Sequence, residues 1–131
     1  MRRLLGPHVD RIYAIFRIVF GFLFLCHGAQ KLFGAFGGEK VAIASLMGLA
    51  GIIEFFGGLL VMIGLLSRWA AFIASGMMAV AYFMAHFPKG VLPIMNGGDA
   101  AVLYCFAFLY IAARGAGPWS VAAAMNRPDL D

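Results

Sequence analysis

The stretch IYAIFRIVFGFLFLCHGAQKLF, residues 12–33, decides how this chain is read. About 20 apolar residues in a row are enough for a helix to cross the hydrocarbon core of a bilayer, and this run contains 22 residues with one arginine, one lysine and one histidine. The rest of the chain has the same character. Of its 131 residues, 63% are hydrophobic and 12% charged, with a mean hydropathy of +0.92. A soluble domain is about half apolar and about a quarter charged, and one of this length cannot bury so much apolar surface. The composition therefore predicts an integral membrane protein in contact with the lipid bilayer.

Three further apolar runs follow, at about 46–66, 69–87 and 97–114. The connection GAFGGEKVAIAS (34–45) is glycine-rich, only Ser67 and Arg68 separate the second and third runs, and PKGVLPIMNGG (88–98) carries two prolines that break a helix. The pattern predicts one all-α domain over residues 1–131, a four-helix transmembrane bundle. Arg2, Arg3 and Arg11 precede the first run, Arg68 sits in the second turn, and Arg114 and Arg127 follow the last. The opposite side has Lys40 and Lys89 in its loops, with Lys31 at a helix end. Lysine and arginine accumulate on the cytoplasmic side, so both termini are expected there. The first run contains Arg17 and is followed by no A-x-A-like cleavage site, which reads as a retained helix rather than a signal peptide. Arg17 itself is expected to snorkel to the cytoplasmic surface, and the tail beyond Ser120 to be poorly ordered. The net charge of +4 is dispersed among the helix ends, so no nucleic-acid surface is expected.

With that topology, a rise of about 1.5 Å per residue puts His27 roughly 9 Å and Glu54 roughly 12 Å below the outer boundary. His86 ends the third run and Asp99 begins the fourth, near the same boundary as Lys31. Phe20, Phe24, His27 and Lys31 share one helical face, Gly51, Glu54 and Gly58 another, and Ser75, Ala79, Tyr82 and His86 a third. A charged residue at the centre of a membrane helix costs about 2.5–3.5 kcal/mol, so Glu54 is expected to turn inward and find a partner. His27, at matching depth, is the expected one. Cys26 and Cys105 form no C-x-x-C motif, and buried thiols behave as small apolar groups. Two histidines and two carboxylates suggest a metal or haem, but no helix carries a Glu-x-x-His or His-x-x-x-His pair, which disfavours both.

Three blocks, HGAQKLFGAFGG (27–38), EFFGGLLVMIGLLSRWAA (54–71) and NGGDAAVLYCFAFLYIAARGAGPWS (96–120), resemble the DoxX family of small four-helix membrane proteins. The resemblance implies a multi-pass protein of the bacterial plasma membrane and a component of oxidoreductase systems that handle quinone, thiols or sulfur compounds. The family's His-Gly and Lys correspond to His27, Gly28 and Lys31, its acidic residue before the double glycine to Glu54, and its turn arginine to Arg68. Asp99 stands where the family usually has Glu, and Ser120-Val121-Ala122 where it tends to Ser-Leu-Asp.

Together these readings give an expected polar pocket in the outer half of the bundle. Glu54 and His27 would relay protons there, Lys31 would hold an anionic or carbonyl oxygen, and His86, Asp99 and Tyr82 would bind substrate at the mouth. Quinone is the expected cofactor or substrate. No nucleotide-binding motif is present, so electrons from a nicotinamide or flavin would come through a soluble redox partner protein. A proton-coupled transporter, which would need a homo-oligomer of so small a bundle, and a non-catalytic scaffold for soluble redox enzymes are the alternatives.

Overall fold

The computed structural model describes residues 1–131 except the side chain of Arg2, whose part in the charge pattern lies outside the described residues. These residues form helices and turns, with no strand among those described. Three helices are long and apolar enough to cross a membrane: Arg3–Phe33, Leu46–Ile63 and Ser67–Lys89. The regular part of the first, α1, is Val9–Phe33. The second (α2) and third (α3) are followed by α4, Asp99–Arg114, of 16 residues. α4 begins two residues later than the apolar run because Gly97 adopts a left-handed φ of 72°.

Local sequence sets most of the boundaries. Gly34 closes α1 in the left-handed conformation (φ 68°), its N–H bonded back to Ala29 and Gln30, which glycine adopts without steric cost. Ser45 starts α2 by accepting a hydrogen bond from the Gly48 N–H at 3.0 Å. Gly64, again left-handed (φ 74°), ends it. The turn into α3 is therefore 64–66, and Ser67 is already helical. Two helices are not regular. Ile53–Gly57 in α2 and Tyr82–His86 in α3 are wide π turns, features that concentrate at functional sites.

The helices form two pairs. α1 packs along α2, and α3 along α4, whereas α1 and α4 meet sparsely. Glycines fix the first pair at backbone distance. A Cβ on Gly58 would lie 2.5 Å from the Leu25 nitrogen, one on Gly21 would lie 2.6 Å from the Met62 nitrogen, and one on Gly28 would collide with the Phe55 backbone. Such close approach is how membrane helices gain packing without a hydrophobic driving force. Between the pairs lies a core of Phe24, Val61, Ala71, Ala74, Phe108 and Ile111. Phe22, Phe56, Phe72, Phe83 and Phe106 point outward, as lipid-facing side chains do.

One end of the molecule holds both termini and the 64–66 turn; the other holds the 34–45 and 87–98 connections. At the terminal end two expectations fail. Arg17 does not snorkel: it is 0% exposed. Its Nη1 donates to Val61 O and Met62 O at 2.6 and 2.7 Å, and its Nη2 to Trp119 O at 2.7 Å. The carbonyls at the end of α2 and in the tail are short of helical partners, and a guanidinium can serve several at once. The tail is consequently ordered. Ser120 caps a short helix, Val121–Ala124; Ala122 N–H donates to Gly64 O at 3.1 Å and Leu66 N–H to Leu130 O at 2.6 Å. Asp131 accepts from the Ala116 N–H and pairs with Arg68 Nε at 3.5 Å.

Candidate functional site

Towards the loop end the two helix pairs separate and leave a cavity of about 250 Å³, walled by all four helices. Phe24, Met77, Met78 and Tyr104 supply apolar wall, and His27, Lys31, Glu54 and His86 the polar groups. Four of the six residues expected to form a site therefore share one space. Its polar floor is an ion pair, with Lys31 Nζ donating to Glu54 Oε1 at 2.5 Å.

The partner of Glu54 is thus Lys31, where the depth estimate points to His27. Two local causes produce this. In a helix each Cα–Cβ bond tilts towards the N-terminus, so a lysine near the C-terminal end of α1 aims back into the bundle rather than out to the headgroups. Gly51, opposite, leaves room for its stem: a Cβ there would lie 3.0 Å from Lys31 Cβ. Glu54 is 3% exposed, and its side chain projects from the π turn 53–57. Its Oε2 has no hydrogen-bond partner among the described residues. An ionised carboxylate can accept about four hydrogen bonds, so this buried oxygen retains unused acceptor capacity beside the cavity.

His27 lines the same cavity from α1, exposed on its outer side, with its ring edge-on to Tyr104 at 5.9 Å between centroids. His86 belongs to the second π turn, and its Nδ1–H donates to Asn96 O at 3.2 Å, tying the cavity wall to the turn before α4.

Tyr82 and Asp99 are not brought to the cavity wall. The Tyr82 hydroxyl donates to Val91 O at 2.8 Å and accepts from Asn96 Nδ2 at 3.2 Å. Asp99 is exposed as the first residue of α4, where a negative charge suits the positive end of the helix dipole. The hub of this loop is Asn96, buried, which also donates to Gly90 O at 2.7 Å and accepts from Gly98 N–H at 2.8 Å. Its turn-like N-G-G setting marks it as a loop residue, but nothing in that pattern shows which carbonyls it reaches. Tyr104 is the other residue the sequence reading left out of the site. It lies one helical turn and more from Asp99, among phenylalanines that read as lipid-facing.

Cys26 and Cys105 are both free thiols. Ser75 Oγ donates to the Cys105 carbonyl at 2.8 Å and lies 3.6 Å from its sulfur, locking α3 to α4. Among the described residues no three His, Cys, Asp or Glu side chains come together as a metal-ligating group. A slightly larger hollow of about 290 Å³ lies beneath the tail, lined by Ser120, Arg127 and Asp131 among others. Its polar groups are engaged locally: Ser120 Oγ donates to Gly117 O, and Arg127 pairs with Asp129. The orphaned carboxylate oxygen singles out the cavity between the helix pairs.

A small helical membrane protein with a buried ion pair beneath an apolar-walled cavity is the class these features define. Residues 12–87 match the DoxX family, and the chain belongs to that family. It is 42% identical over 111 residues to an uncharacterized protein of Haemophilus influenzae, covering 79% of this chain and 83% of that one. It is also 29% identical over 120 residues to the inner membrane protein YqjF of Escherichia coli, covering 85% and 89% of the two chains. No solved structure matches.

Proposed function

We propose that this protein is a four-helix subunit of the bacterial plasma membrane, both termini cytoplasmic, that binds quinone or a small thiol or sulfur compound in the cavity and serves membrane redox chemistry. The observation that carries the reading is Glu54 Oε2: an acceptor left without a partner, on a nearly fully buried side chain, beside a space with apolar walls. Binding sites for small molecules have this composition, mostly apolar with a few convergent polar groups. α4 is the fourth span in this proposal; its 16 residues reach about 24 Å, with Gly97 and Gly98 leading into it and Arg114 at its far end reaching the headgroups. The E. coli relative's description as an inner membrane protein supports the location.

Each part of the site has a chemical role. Lys31, already bonded to Oε1, has two further N–H groups with which to hold a carbonyl or anionic oxygen. Glu54 Oε2 receives a hydroxyl, and its carboxylate can take up or release that proton. His27 carries the proton between the cavity and its exposed side. Reduction of one quinone takes two electrons and two protons; two thiols joining in a disulfide supply both, and a soluble redox protein can supply the electrons in their place.

The test is an optical one. Protein purified with its lipids is recorded air-oxidised and after dithionite, alone and with added quinone, beside Glu54→Gln and His27→Ala. A quinone difference band that saturates with the wild type and weakens in Glu54→Gln supports the proposal. Absence of binding, combined with normal function of the Glu54→Gln, His27→Ala double variant at native stability, would leave a scaffold; solute uptake into vesicles that depends on Glu54 would leave a transporter.

A further inference from the structure

Three of the four seams around the cavity are built differently. Between α1 and α2 the backbones touch through Gly21, Gly28 and Gly58, so parting them means moving whole helices. Between α3 and α4 the packing is continuous and includes the Ser75–Cys105 bond. Between α1 and α4 the contact is made by rings. Phe16 meets Tyr110 at 6.1 Å, Phe20 meets Tyr104 at 5.8 Å, and His27 meets Tyr104 at 5.9 Å, each at a steep angle. Rings joined edge to face can swing by side-chain rotation while the helices stay where they are.

This seam is also pinned at one end only. At the terminal end the Tyr13 hydroxyl bonds Gly115 O, Arg114 pairs with Asp10, and the Arg114 guanidinium lies 4.1 Å from the Tyr13 ring centroid. At the cavity end it is held by rings alone, Tyr104 lying against Phe20, Phe24 and His27. His27 faces outward there, six residues before the end of an apolar helix, where a polar ring on the lipid side is otherwise a cost. On the opposite side the cavity is lined by Met47 from α2 and by Met77 and His86 from α3, the His86 ring being held to Asn96 O at 3.2 Å.

We infer that the ligand reaches the cavity sideways from the bilayer, through the α1–α4 seam, with Tyr104 as the swinging gate and His27 as its polar threshold. This deepens the pocket reading above and rests on it. It also fixes the ligand class: a lipid-soluble molecule with a flat hydroxyl- or carbonyl-bearing head and an apolar tail, not a water-soluble thiol or sulfur anion. A space of about 250 Å³ takes a single ring, below the range of about 300–1,000 Å³ usual for whole drug-sized ligands. The tail stays in the aromatic seam, between Phe20 and Tyr104.

The experiment uses the full chain in lipid nanodiscs and two photoreactive benzoquinones with the same head, one bearing a decyl tail and one a short sulfonated chain that keeps it in water. The decyl probe is expected to label the wild type with about a tenfold or larger advantage, the gain given by two or more buried methylenes, and the label to map to the α1–α4 seam around Phe20, His27 and Tyr104. Tyr104→Trp, a bulkier gate, should slow labelling, while Tyr104→Phe, which keeps the ring, should not. Equal labelling by the sulfonated probe, or label confined to residues 90–98, overturns the lateral route while the pocket stands. Labelling by neither probe, with Glu54→Gln indistinguishable from wild type, overturns the pocket and this inference together.

Discussion

Glu54 and Lys31 pose the sharpest question at the level of single residues. The lysine side chain is 23% exposed and the glutamate 4%, so removing one partner strands a charge that water reaches only from one side. Breaking a buried pair costs about 3–5 kcal/mol, and the partial exposure of Lys31 brings the expected loss for Glu54→Gln to about 1–3 kcal/mol. Lys31→Met together with Glu54→Gln should cost less than the sum of the two changes, with a coupling above about 1 kcal/mol in a double-mutant cycle of detergent melting curves. Arg17 gives a second prediction. Arg17→Lys keeps the charge but cannot serve carbonyls in α2 and the tail at once, and should lose about 2–4 kcal/mol. Hydrogen exchange should quicken across residues 116–131 before it changes in α3. The matching depth of Glu54 and His27 was readable in the sequence, since the rise per residue fixes depth, whereas Lys31 read as lying at the outer boundary. The pairing was not, because it depends on the backward tilt of Cβ and on Gly51 clearing a path.

At the scale of elements, the glycines divide into two kinds that look identical in the sequence. Gly58 and Gly21 sit where an added methyl meets backbone, and either changed to alanine should destabilise the protein by about 2–3 kcal/mol through forced separation of α1 and α2. Gly76, in the middle of α3, has nothing within 4 Å of its would-be Cβ. Gly76→Ala should therefore leave the melting temperature unchanged or raise it, by up to about 1 kcal/mol in stability. Thermal unfolding of the three variants in one detergent checks both statements. Helix position was largely legible: apolar runs, Ser45 and the glycines that close each helix mark the ends within a few residues. The π turns at 53–57 and 82–86 were not, since an extra residue per turn is a response to packing and leaves no periodic trace. They matter because the two turns carry Glu54 and His86 into the cavity wall.

For the whole molecule, the proposed orientation makes a direct prediction. Single cysteines introduced at Arg3 and Asn126 should react with impermeant thiol reagents only after the membrane is opened from the cytoplasmic side, and those at Lys40 and Lys89 from outside on intact cells. Cys26 and Cys105 should be replaced by serine or alanine first. The reverse pattern would invert the bundle and place the cavity on the cytoplasmic face. The asymmetry of the molecule gives this question its weight: one end is tied by Arg17, Arg68 and the tail, and the other opens around the ion pair.

The sequence by itself determined that the chain is helical and made for a membrane, that its long apolar helices alternate with glycine- and proline-rich turns, and that His27, Lys31, Glu54, His86 and Asp99 fall towards the end opposite the arginines. These properties are local or additive: transfer free energy sums along a run of residues, and turn chemistry acts over three or four positions. Only the tertiary structure decided that Arg17 is buried and fastens an ordered tail, that Lys31 rather than His27 neutralises Glu54, and that Tyr104 belongs to the site while Tyr82 faces the loop organised by Asn96. Each of those outcomes turns on which of several possible partners stands within about 3 Å, the reach of a hydrogen bond. That distance is set by how closely the glycine faces of α1 and α2 let their backbones approach, which no single stretch of sequence specifies.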